Sequence, residues 1–267
     1  MLIWNYNGRS FFRARSWRSH KMIKAKCREI LSKTTKTQLI IWWSFRGSMI
    51  FAMIAGAMRP TYKLTDTLQV LANFIGMFAW EIFQFMPKKS FLRLLPSYIQ
   101  NFSVVLIFGA SFCGYFLNFY YDLVWWDWML HTLGGAGLTV LGYEAAVGLT
   151  KKSGKEAPLS VILLCAAGFS FMFGTIWELF EFTFDQISLL GGTVGDAQHW
   201  SLALAENTPK IRTLFAPVDP TRWPLMDTMG DIVLNTVGCA CAFLYLKFNP
   251  YHHKANKSDT QNVSVKQ

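Results

Sequence analysis

The sequence predicts an all-α fold: an integral membrane bundle of six transmembrane helices with both termini cytoplasmic. Three observations predict it. Hydrophobic residues make up 52% of the 267 positions and charged residues only 16%, a balance of membrane proteins rather than soluble domains. The chain contains six apolar runs of ~20 residues, each long enough at ~1.5 Å rise per residue to cross a ~30 Å hydrocarbon core. With the N-terminus inside, the segments between runs put 20 of the 26 Lys and Arg residues on the inner side and five on the outer, Arg46 lying within the first run. A wrong span count would scramble that asymmetry.

Residues 1–37 form a basic cytoplasmic tail, carrying ten Lys and Arg residues against one acid, Glu29. An Arg- and Ser-rich, acid-poor leader also fits an organellar transit peptide; the positive-inside rule favours the tail. The membrane domain is 38–247. Its first span, 38–58, contains Arg46, whose long side chain can snorkel to the nearer interface. The second span, 65–86, ends near Glu81 and is followed by Lys88, Lys89 and Arg93. The third, 98–121, closes on the aromatic sequence FLNFYY, of the kind that anchors an interface.

The fourth span, 125–149, has Gly134, Gly135, Gly137 and Gly142 along its interior; Gly134 and Gly137 are placed to let a neighbouring helix approach closely. Glu144, like Glu81, falls near an inner border. The fifth span is 159–184. An outer loop, 186–224, is too polar to sit in lipid, and His199 within it reads as a solvated loop residue. The sixth span is 226–246, and 248–267 is a polar cytoplasmic tail.

The formal charge of +10 does not imply a nucleic-acid partner. The basic residues cluster beside the first span, where anionic lipid attracts them, and no recognition motif accompanies them. The expected partner is the lipid bilayer. Five scattered cysteines, four of them inside apolar runs, form neither a zinc pattern nor a disulfide framework. A possible glycosylation tripeptide at Asn262 falls on the inner side of this topology.

Acids and one histidine recur at three outer borders. The fourth span enters from outside at Asp127 and His131, the fifth leaves at Glu178, Glu181 and Asp185, and the sixth returns at Asp227, Asp231 and Asn235. Spacings of three and four put each set on one helical face. His131 and Asp231 should lie one turn, ~6 Å, below Asp127 and Asp227, with Glu178 level with that lower tier.

So many carboxylates at a low-dielectric rim repel one another if all are ionised, and no Lys or Arg lies on the stripes. Three things can neutralise them: raised proton affinity, a divalent metal held by carboxylate and imidazole, or a basic partner such as Arg212 or Arg222. The metal-ligand candidates are Asp127, His131, Glu178, Glu181, Asp227 and Asp231, with Asp185 and Asn235 as further pocket residues. His131, Glu178 and Asp231 are the candidates for catalysis. Solvated, capped helix ends are the plainer alternative for any one stripe.

At these residues the chain resembles the YjdF-type family of uncharacterised bacterial membrane proteins. The matching pieces are FYYDLVWWDWMLHTLGG (119–135), WELFEFTFDQ (177–186) and LMDTMGDIVLNTVG (225–238). It is more distantly similar to VanZ-like membrane proteins, whose pattern Asp127, His131, Glu178, Asp231, Asn235 and Gly238 fit, while Glu181 stands where that pattern has glutamine. The resemblance implies a multi-pass protein of the bacterial cytoplasmic membrane and brings no established reaction.

Three functions stay open. One is an enzyme-like or ligand-binding site for a lipid or cell-envelope head group. The others are an ion- or proton-coupled transporter and a non-enzymatic envelope accessory protein. The last expects the three stripes not to face one another; the first expects His131, Glu178 and Asp231 to meet.

Overall fold

A computed structural model of the chain describes residues 22–58, 64–123, 125–155, 157–191, 197–198 and 223–249. These residues are helical or irregular, with no strand among them. A short helix α1 (22–32) precedes α2 (Lys36–Ala57). Thr35 caps α2 in a reciprocal box with Gln38, which satisfies two otherwise orphaned donors. Then follow α3 (Leu64–Gly76), α4 (Ala79–Phe85), a 3-10 turn (Phe91–Leu94) and α5 (Tyr98–Phe108). The chain continues beyond α5 as a π-helical stretch (Gly109–Phe116), then α6 (Phe119–Asp122), α7 (Trp126–Ser153), α8 (Leu159–Leu190) and α9 (Trp223–Phe248).

Four of these segments are long and apolar enough to cross a membrane: Lys36–Ala57, Tyr98–Phe116, Leu159–Leu190 and Pro224–Phe248. The predicted fourth span is the single 28-residue helix α7, whose glycines, Asp127, His131 and Glu144 dilute its apolar content. The predicted second span is two helices that meet at Met77 and Phe78. After the third, Asn118 takes a left-handed conformation (φ 68°) that turns the chain into α6.

Beside an apolar core, several polar residues lie inside and many large apolar residues lie outside. Arg46, Asn73, Gln84, Gln100, Ser111, Thr139 and Ser170 are buried, whereas Trp43, Phe51, Ile54, Leu164, Leu179 and Phe182 are exposed. Such a surface suits lipid, and buried polar groups in lipid must find partners within the protein. Many do: Asn73 donates to Ser111 at 2.6 Å, and Thr139 and Ser170 both donate to the carbonyl of Gly135, at 2.7 and 2.9 Å.

The break between α3 and α4 is held by distant side chains. The Met77 carbonyl accepts from Arg46 Nη2 at 2.6 Å and also from Gln100 Nε2. Gln100 Oε1 in turn accepts from the Trp80 amide at 2.9 Å, a donor that the start of α4 would leave unpaired. Arg46 therefore does not snorkel. It is 1% exposed, pairs with Glu81 at 2.6 Å and stacks 3.7 Å from the Phe78 ring centre. Glu81, read from the sequence as interfacial, is its counterion, with a side chain 16% exposed.

α1 packs on the helices that follow it. Ile30 joins the core of Trp42, Met77, Trp80 and Ile99, and Glu29 receives Lys26, Lys33 and, at 2.5 Å, Arg93.

α7, α8 and α9 pack most extensively on one another. Glycine sets their separation. A Cβ at Gly135 would collide with the Asn235 carbonyl, and one at Gly238 with the Thr132 carbonyl. Gly142 lies against Ala166, and Gly137 makes room for the Phe102 ring. Gly134, expected at a close contact, has its nearest neighbour, Leu106, 3.9 Å from where a Cβ would stand.

Candidate functional site

The close approach of three helices brings the three polar stripes face to face. The imidazole of His131 is central. Its Nε2 lies 3.4 Å from Asp127 Oδ1 on the same helix and 3.7 Å from Asp231 Oδ1 on α9, and its Nδ1 lies 3.7 Å from Glu178 Oε1 on α8. These separations are too long for good hydrogen bonds. They match two ligands of one small cation, since donors each ~2.1 Å from a tetrahedral ion stand roughly 3.4 Å apart. Donor atoms of Asp127, His131 and Asp231 all lie within 4.8 Å of one another.

Glu178 faces the other ring nitrogen. That places it where a carboxylate orients a metal-binding imidazole rather than on the metal side. Glu178 Oε2 is buried with no hydrogen-bond partner. Such an atom carries a desolvation cost unless something polar reaches it.

The other stripe residues divide. Asp227 is 4% exposed and close enough to act electrostatically on His131, Glu178, Glu181 and Asp231. Glu181 accepts from Trp177 Nε1 at 2.9 Å, one turn away. Asp185 accepts from the backbone amides of Ala197 and Gln198, at 2.8 and 3.1 Å, so it fastens these two residues to α8. Asn235 sits against Gly174 and Gly135 at the α7–α8–α9 contact. The loop residues Arg212, Arg222 and His199 lie outside the described residues.

A cavity of about 230 Å3 runs inward from the cluster. From the stripes, His131, Glu178, Asp231 and Asn235 line it; Asp127, Glu181, Asp227 and Asp185 do not. Tyr120 lines it too. Its place in the FLNFYY cluster predicts an interface anchor, but it is 8% exposed and lies within electrostatic reach of the Asp127, Glu181 and Asp231 carboxylates. Thr228, bonded to Gln198 at 2.9 Å, reaches Glu178 from α9. Neither residue lies on a four-residue stripe; an aromatic cluster and a threonine beside an acid carry no spacing signal.

Comparison with known proteins places the same region in one family. The family model described as "Predicted membrane protein (DUF2238)" matches residues 41–250, a span that holds all three stripes. An "Uncharacterized protein" of Thermotoga maritima is 32% identical over 185 residues, which cover 66% of this chain and 74% of that one. No solved structure matches.

Proposed function

Because the chain belongs to the DUF2238 family of predicted membrane proteins, we propose that it is a six-span protein of the bacterial cytoplasmic membrane that holds a divalent cation at its outer face and, through it, a lipid or cell-envelope head group. The likeness to YjdF-type proteins, and more distantly to VanZ-like ones, belongs to this proposal. In it, α3 with α4 forms the second crossing, α7 forms the fourth, and both termini are cytoplasmic. The excess of Lys and Arg on the inner side supports that arrangement.

One observation carries the site: three helices deliver Asp127, Asp231 and Glu178 to the two nitrogens of one imidazole. Asp127 Oδ1, His131 Nε2 and Asp231 Oδ1 are the ligands, a nitrogen and oxygen set that suits zinc or manganese. Three protein ligands leave a position open for a phosphate or hydroxyl oxygen, the arrangement of catalytic rather than structural sites. The cation also offsets the repulsion among Asp227, Glu181 and the ligand carboxylates.

The test is titration of the purified protein with Mn2+, followed by electron paramagnetic resonance, and competition by Zn2+. One site per chain is expected, lost in His131→Ala and Asp231→Asn. Glu178→Gln, acting through Nδ1, should weaken it by about 10 to 100-fold. Failure to bind either ion, or binding that survives His131→Ala unchanged, sinks the proposal.

A second reading, an ion- or proton-coupled transporter, draws on the break at Met77 and the largely buried Arg46–Glu81 pair beside it, since discontinuous helices and intramembrane charges mark ion pathways. Proteoliposomes that move Mn2+ or protons in an Arg46-dependent way would favour it. The accessory reading has less support, because it expects stripes that turn away from one another.

A further inference from the structure

The cavity below His131 has two ends of different chemistry. Its outer end is His131, Glu178 and Asp231; ten residues further along α7, a distance of ~15 Å, its wall is Leu141, with Phe102 and Leu138 beside it. At about 230 Å3 it far exceeds the ~10–15 Å3 that one water needs. Water there would need two to four polar partners per molecule. The apolar arm offers Ser103, whose hydroxyl already donates to the Ile99 carbonyl at 3.1 Å.

The cavity also reaches the outer surface. Phe171 and Phe173 line it and are 42% and 36% exposed on α8. α5 and α8, which supply facing walls, both pack on α7 and make no comparable contact with each other. At the polar end, the unpartnered Glu178 Oε2 is buried in a residue that lines the cavity, so a ligand polar at one end and apolar along its length fits both features.

We propose that the cavity takes one acyl chain of a glycerophospholipid, entering sideways past Phe171 and Phe173, with its phosphate at the cation held by Asp127, His131 and Asp231. The inference rests on the head-group reading above. It adds that the ligand is drawn from the bilayer rather than from water, and that recognition extends along the chain.

The experiment uses the full chain in vesicles of phosphatidylethanolamine and phosphatidylglycerol. A small share of the phosphatidylglycerol bears a diazirine at the end of one acyl chain. Photolabelling followed by peptide mapping should mark Phe102, Leu138 or Leu141. Gly134 lines the cavity, and a Cβ there would meet only Leu106, at 3.9 Å, so Gly134→Leu places its side chain in the arm. It should reduce that labelling about tenfold, the effect of displacing roughly two methylenes.

Label confined to outward-facing residues such as Leu164 and Leu179 would overturn the inference, and mapping in the unaltered chain decides this even if the variant does not fold. Mn2+ titration of the same samples separates the two proposals. Gly134→Leu should lose lipid and keep Mn2+; cavity labelling without any Mn2+ site would uphold the chain inference and defeat the cation reading.

Discussion

Arg46 Nη2 stands 2.6 Å from Glu81 Oε1, with the two side chains only 2% and 16% exposed, and the same guanidinium nitrogen donates to the carbonyl freed at Met77. One arginine thus neutralises a largely buried acid and closes one side of a helix break. Removing a single partner of a buried pair leaves an uncompensated charge, at a cost of about 3–5 kcal/mol. Arg46→Met should therefore lower thermal stability in detergent sharply, and Glu81→Leu should do likewise. The double variant should recover most of the loss, since apolar replacement of both partners is often tolerated. Equal losses in the single and double variants would show that the pair is not the relevant unit.

Gln100 makes the second closure of the same break. Its amide takes the place of the missing helical ladder, accepting from the Trp80 amide and donating to the Met77 carbonyl. Gln100→Leu keeps the volume and strands a buried donor, which costs about 1–3 kcal/mol. Hydrogen exchange should speed up at 78–82 while α7 to α9 stay protected. Uniform loss of protection across all helices would instead mean that Gln100 supports the whole bundle.

The contrast between these two residues and the acid cluster shows what the sequence made legible. The stripes could be read because acids spaced by three and four stay on one face of a regular helix, and each set falls near one end of its apolar run. That reasoning correctly expected His131 to meet Glu178 and Asp231. It could not expect the break at Met77: no proline marks it, and its partners lie 31 and 23 positions away. Hydropathy likewise sees Arg46 alone and not Glu81 across the fold. Asp185 sat on the right stripe, but its partners are backbone amides at 197 and 198, which have no signature in residue type.

Outside the spans, Glu29 gives the docking of α1 a pH dependence of definite sign. Hydrogen bonds from Lys26 first, then Lys33, hold its carboxyl well below the usual range, at about 2, with Arg93 adding to them. A group whose folded pKa is lowered contributes stability above its unfolded value of ~4.3, and that contribution fades as pH falls from there toward the folded value. The side chain is 34% exposed, so salt should weaken the effect. Limited proteolysis of 22–32 should accelerate between roughly pH 4 and pH 2 and more so at low than at high ionic strength. Glu29→Gln should be susceptible throughout, with no pH step; a step that persists in this variant would assign the titration elsewhere.

Three neighbouring glycine positions separate helix packing from helix propensity, and through packing they reach the site. Gly135 and Gly238 leave no room for a Cβ against the Asn235 and Thr132 carbonyls, whereas a Cβ at Gly134 would meet only Leu106, at an ordinary 3.9 Å. Gly134→Ala should be neutral or stabilising by up to about 1 kcal/mol, the gain in helix propensity. Gly135→Ala and Gly238→Ala must instead force α7 from α9, at a cost of about 1–3 kcal/mol or more. Because His131 and Asp231 sit on those two helices 3.7 Å apart, the same displacement pulls the two proposed ligands apart. Mn2+ affinity should thus fall in Gly135→Ala and Gly238→Ala and hold in Gly134→Ala, measured on folded protein recovered by size-exclusion chromatography. If the two tight glycines lose stability but bind Mn2+ as well as the unaltered chain, the α7–α9 spacing does not set the geometry around His131.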